Sequence, residues 1–132
     1  MANVLTNAGR AMITAALKAS GYTEPVYGGW GTGAGTAGAT DTTLFSEKAA
    51  DLSATSGTRV TGTTSRVTTS VTNDSYQNVW TITATGAGSP TNAGTFDNSA
   101  IGSGNMFIKG DFTAIPLSTN DSIQFTGKLQ FT

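Results

Sequence analysis

From Tyr76 to Thr85 apolar and polar residues alternate, with Tyr76, Asn78, Trp80, Ile82 and Ala84 on one side, and this spacing predicts a half-buried β-strand. A second alternation closes the chain: between Ser122 and Phe131, Ile123, Phe125, Leu129 and Phe131 share one face and polar residues take the other. Met106-Phe107-Ile108 marks a third strand just upstream. From Thr58 to Thr72 β-branched residues fall at nearly every second position, as half-exposed strands prefer. Val60, Val67 and Val71 do not keep one parity, which predicts a bulge or turn near Gly62 or Ser65. Tyr76, Trp80 and Ile82 are the expected main core, because aromatic and branched side chains contribute about 1.5–3 kcal/mol each on burial.

The period changes near the N-terminus. Asn7 to Lys18 places Ala8, Met12, Ala15 and Ala16 on one side of a helix with Ile13 and Leu17 beside them, Thr6 or Asn7 as its cap and Gly21 as its stop. A further turn of helix is expected within residues 41–52, capped by Asp41 or Thr42. Pro25-Val26-Tyr27 starts a brief strand that leads into the glycine run Gly28 to Gly38, read as an extended surface loop or arm. Five to seven strands, one helix and no βαβ alternation argue against a parallel α/β fold. The expected fold is mainly β: an antiparallel, jelly-roll-like β-sandwich with one short N-terminal helix. Residues 1–132 form a single domain, 1–40 being helix plus Gly-rich arm and 41–132 the sandwich.

Composition narrows the function. With 7 Lys and Arg against 8 Asp and Glu, the chain lacks the basic footprint of a nucleic-acid binder. Charged residues are only 11% of the sequence, replaced by Thr, Ser, Gly, Ala and Asn, so copies repel one another weakly and pack densely. No apolar run approaches the roughly 20 residues of a membrane helix, and no basic segment followed by an apolar core opens the chain, so no membrane partner is expected. The absence of cysteine rules out disulfides and thiolate metal sites.

Without histidine or cysteine, catalysis would fall to carboxylates, lysines or hydroxyls. Asp97 with Asp111, or Glu47 with Asp51, are the pairs a glycosidase would need, yet the acids stand singly in Asn/Ser/Thr contexts. Asp74, Asp97 and Asp121, each beside Asn, read as turn residues. The glycine run lacks the closing Gly-Lys-Ser/Thr of a phosphate loop, and no Asp-x-Asp-x-Asp-Gly loop offers calcium ligands. No enzyme activity, cofactor or metal is therefore expected. Tyr22, Tyr27 and Trp30 around the glycine run suggest an aromatic contact surface, with Gly28, Gly31 and Gly33 allowing close backbone approach by a neighbour. On this reading Trp30→Ala spares the fold and weakens assembly, whereas Trp80→Ala unfolds the chain. The same three rings could alternatively stack on sugars, as in a carbohydrate-binding module.

Three segments carry a resemblance: Leu5-Thr6-Asn7-Ala8-Gly9; Gly31-Thr32-Gly33 with Ala39-Thr40-Asp41-Thr42-Thr43-Leu44; and Met106-Phe107 through Asp121-Ser122-Ile123-Gln124-Phe125. In this order they resemble a group of small tailed-bacteriophage virion proteins, whose members serve as head decoration, tail-fibre or baseplate components. The resemblance implies a structural protein of the virion. Its expected place is the capsid exterior, after assembly in the host cytoplasm. Its implied partners are the major capsid protein and its own copies, as a homotrimer, with a tail-fibre or baseplate anchoring module as the alternative role.

Overall fold

The computed structural model describes residues 3–132. The chain is mainly β, 40% strand and 9% helical, with antiparallel sheets and one short helix near the N-terminus. In order the elements are β1 (Asn3–Leu5), α1 (Asn7–Lys18), β2 (Tyr27–Gly31), β3 (Glu47–Lys48), β4 (Val60–Thr61), β5 (Thr63–Val67), β6 (Ser75–Thr83), β7 (Asn92–Phe96), β8 (Met106–Asp111) and β9 (Ser122–Gln130). One sheet has six strands in the order β1-β8-β7-β2-β3, with β4 also paired to β2. The other has three, in the order β5-β6-β9.

The two sheets share a core. Trp30 and Ala93 of the first sheet meet Trp80, Ile82 and Phe125 of the second. Phe125 stacks on Trp80 at 5.3 Å and receives Trp30 edge-on at 6.5 Å, both favourable aromatic geometries. The alternation along β6 matches this arrangement for Asn78, Trp80, Ile82 and Ala84, which are all buried, whereas Tyr76, expected in the main core, is half-buried in a separate cluster with Phe107. The expected irregularity near Gly62 is a crossing between sheets: Val60 and Thr61 pair with β2, whereas Thr63 to Val67 pair with β6. Only glycine fits at that corner, where a Cβ would overlap the Asn78 carboxamide.

The glycine run is no arm. Gly28 to Gly31 belong to β2, flanked by β7 on one side and by β3 and β4 on the other. Residues beyond Gly31 continue extended, with Thr32 N–H donating to Ser46 O at 3.1 Å and Gly33 N–H to Phe45 O at 2.9 Å. Gly31, Gly33 and Gly35 all lie under Phe45; a Cβ at Gly33 would stand 2.8 Å from the Phe45 carbonyl carbon, and one at Gly35 2.6 Å from its ring. Alternate glycines thus flatten one side of the strand so that a second segment lies directly on it. The proposed boundary at residue 40 dissolves for the same reason, because β1 and β2 are strands of the larger sheet.

Residues 41–52 form no helix either. Leu44 packs with Phe96 and Met106 on the sheet's outer face, Ser46 takes a left-handed conformation (φ 49°), and Glu47–Lys48 pair with β2. Two cations hold this covering layer. Lys109, with a fully buried side chain, donates to Asp41 Oδ2 at 2.8 Å and Thr43 O at 2.9 Å, and lies 3.1 Å from the centre of the Phe45 ring. Arg59 forms a two-pronged pair with Glu47 at 2.7 and 3.0 Å, donates to Asn98 O and Ser103 O, and stacks on Phe96 at 3.4 Å.

At the N-terminus Thr6 caps α1, its hydroxyl oxygen accepting from Gly9 N–H at 2.9 Å. Ala19, left-handed at φ 55°, ends the helix before Gly21 is reached. Met12 seats the helix on Phe107 and Ile108 of β8.

Candidate functional site: an apolar groove beside the helix

The stop at Ala19 leaves the last turn of α1 standing clear of the sheets. Met12, Ile13, Ala16 and Leu17 form one wall of a groove, and Tyr22 and Pro25, on the connector returning to β2, form another. Tyr76 and Phe107 lie against each other edge to face at 5.7 Å, and Leu129 and Phe131 at the end of β9 complete the lining. The groove encloses about 280 Å³. Its rim is exposed apolar surface, with Leu17 86%, Phe131 57% and Tyr22 45% accessible.

The groove's polar groups are few. Tyr76 donates its hydroxyl to Glu24 Oε1 at 3.4 Å. Burial, reinforced by the nearby Glu24 carboxylate, raises the phenol above its ordinary value; the same two causes raise Tyr22. Both rings are therefore neutral across the physiological range. Such a lining suits apolar contact and supplies neither nucleophile nor base.

Of the residues expected to form a contact surface, only Tyr22 reaches this groove. Trp30 is 0% exposed and donates its indole N–H to Ala49 O at 2.8 Å, so it is a core residue. It offers no ring for an assembly contact or for a sugar face. Gly28 lies buried beneath the Trp80 ring, Gly31 and Gly33 lie beneath Phe45, and half-buried Tyr27 pairs with Thr61 and Phe96 inside the sheet. These five positions therefore do not form an exposed surface. The sequence pattern also placed Phe131 on the core face, but β9 ends at Gln130 and the ring projects past it. Leu17 and Phe131 carried one usable signal, an apolar side chain within one residue of an element's end.

The carboxylates are occupied structurally. Asp97 accepts from the backbone and side chain of Asn105, Asp111 from Ala37 N–H, and Asp51 from Ser53, while Glu47 holds Arg59. Asp74 accepts from the N–H groups of Thr69, Ser70 and Val71, and Asp121 from Ser118 N–H, the turn roles their Asn neighbours suggested. Among the described residues no group of three or more Asp or Glu could hold a metal ion, and no helix is long and apolar enough to cross a membrane.

Comparison with protein-family models, curated proteins and solved structures finds no match for this chain.

Proposed function

We propose that this chain is a structural protein of a tailed-bacteriophage virion, seated on the outer capsid as a decoration or cement subunit, with the major capsid protein as its partner. The observation that supports it is the groove: an opening lined by apolar residues and rimmed by Leu17, Tyr22 and Phe131, on a chain with only 11% charged residues. A surface of this kind binds by shape and desolvation. The three segments that resemble small virion proteins give the context in which such contact has a purpose. Many copies, each making one modest interface, would raise the cost of opening the shell through multivalency.

Copy number tests the reading. Quantitative mass spectrometry of purified particles is expected to show this chain in a ratio near one per capsid subunit. A few copies per particle would instead indicate the tail-fibre or baseplate alternative, and absence from the particle would overturn both. The carbohydrate-binding reading keeps only one of its three rings at the surface, Tyr22, since Trp30 is enclosed in the core and Tyr27 is half-buried in the sheet.

A further inference from the structure

Strand β9 is the outer strand of the second sheet, paired to β6 along one side. Its ladder is bracketed by Ala84 N–H on Asp121 O at 2.8 Å and Phe131 N–H on Asp74 O at 2.9 Å. With the continuous register between the strands, this fixes Ile123, Phe125, Gly127 and Leu129 as the positions that exchange hydrogen bonds with β6. The N–H and C=O groups of Ser122, Gln124, Thr126, Lys128 and Gln130 consequently point the other way, toward the open side. The first four of these residues are exposed and Gln130 is half-buried.

Natural edges are commonly guarded by proline, a bulge or an outstretched lysine. This strand has no proline, and its pairing with β6 shows no register shift. Its single charge is turned inward: Lys128 Nζ donates to Thr69 Oγ1 at 3.1 Å, back across its own sheet. Gln130 likewise reaches Ser70 and Asp74, and the Ser122 hydroxyl bonds that of Thr83 at 2.6 Å. The edge is long, regular and bare.

We propose that β9 pairs antiparallel with β9 of a second copy about a twofold axis at Thr126, joining the two small sheets into one of six strands. In this register Thr126 faces Thr126, Gln124 faces Lys128 and Ser122 faces Gln130, so every outward N–H and C=O from Ser122 to Gln130 finds a partner. No like charges meet. Centring the pair on Lys128 would oppose the two ammonium groups, and centring it on Gln124 would leave Gln130 unpaired. Antiparallel pairing of identical strands is itself a twofold contact, which closes at a dimer. The strand is thus complementary to itself, and a net charge of -1 sets little long-range repulsion against the approach. The pairing does not depend on the virion reading.

Sedimentation equilibrium of the purified full-length chain over a concentration series tests it. Wild type is expected to show a monomer–dimer equilibrium. Thr126→Pro removes an outward N–H while leaving the β6 bonds in place, and it should give monomer with an unchanged far-ultraviolet circular dichroism spectrum. Gln124→Glu sets a carboxylate opposite Lys128 at two symmetric positions and should tighten the dimer by roughly 2- to 30-fold, an effect weakened by salt; Gln124→Lys should loosen it by a similar factor. Three results would overturn the proposal: a monomer throughout the series, an oligomer indifferent to Thr126→Pro, or Gln124→Glu no tighter than Gln124→Lys. A chain monomeric alone that nonetheless captures an extended peptide from the capsid protein would also reject the second copy as the occupant.

Discussion

Trp30 sits between glycines, fully enclosed, with its indole N–H satisfied by Ala49 O. Truncation removes the edge contact to Phe125 and opens a cavity between the sheets, so Trp30→Ala is expected to cost about 3–5 kcal/mol, measured by denaturant unfolding. That is the range for Trp80→Ala as well, because the two indoles flank the same phenylalanine. Gly31 gives a second test of the enclosed strand. A methyl there meets the Phe45 carbonyl, a backbone atom, so Gly31→Ala should cost about 1–3 kcal/mol in the same measurement. In sequence neither residue advertised its burial. A tryptophan in a glycine run reads as a ring on a loop, and the side chain that fills the flattened face comes from Phe45, several residues beyond the run.

At the scale of elements, β6 and β9 were legible because each has one buried and one wet face, the condition under which alternation appears. Strand β2 was not. It is covered on one face by Trp80 and on the other by Phe45, so small residues replace the alternating signal. The covering layer depends on Arg59 and Glu47, whose side chains are 1% and 8% exposed. Arg59→Met alone leaves a buried carboxylate without its partner and is expected to cost about 3–5 kcal/mol, whereas Arg59→Met with Glu47→Leu should recover most of that loss in a double-mutant cycle of unfolding free energies. The 68–74 turn responds to acid. The Val71 N–H foremost, with those of Thr69 and Ser70, holds the Asp74 carboxyl below its ordinary range, and the Lys109 ammonium does the same for Asp41. Both contribute stability present above the unfolded value of about 4 and lost as pH falls through the depressed folded values. Melting temperature should therefore be flat near neutrality and decline below about pH 4, and Asp74→Asn should make that decline shallower.

For the whole molecule, the same economy of charge that leaves the edge of β9 bare also leaves the groove beside α1 without a charged screen. The mainly antiparallel β fold was readable from the chain; the groove was not, because it arises where an element from each end of the sequence stops short, α1 at Lys18 and β9 at Gln130. Leu17 and Phe131 face solvent there, so replacing both with serine removes little internal packing. The double variant should melt close to wild type, a shift of about 0.5 kcal/mol or less per position. If the groove is the capsid contact, each truncation at its rim should cost more than about 1 kcal/mol of binding, and the pair should weaken co-sedimentation with shells stripped of this protein by roughly 30-fold or more. Unchanged binding by a folded double variant would move the contact away from the groove. Loss of binding that persists when the edge is blocked with Thr126→Pro would instead show that the groove meets the shell whether or not β9 is paired, so the two surfaces can be assigned separately.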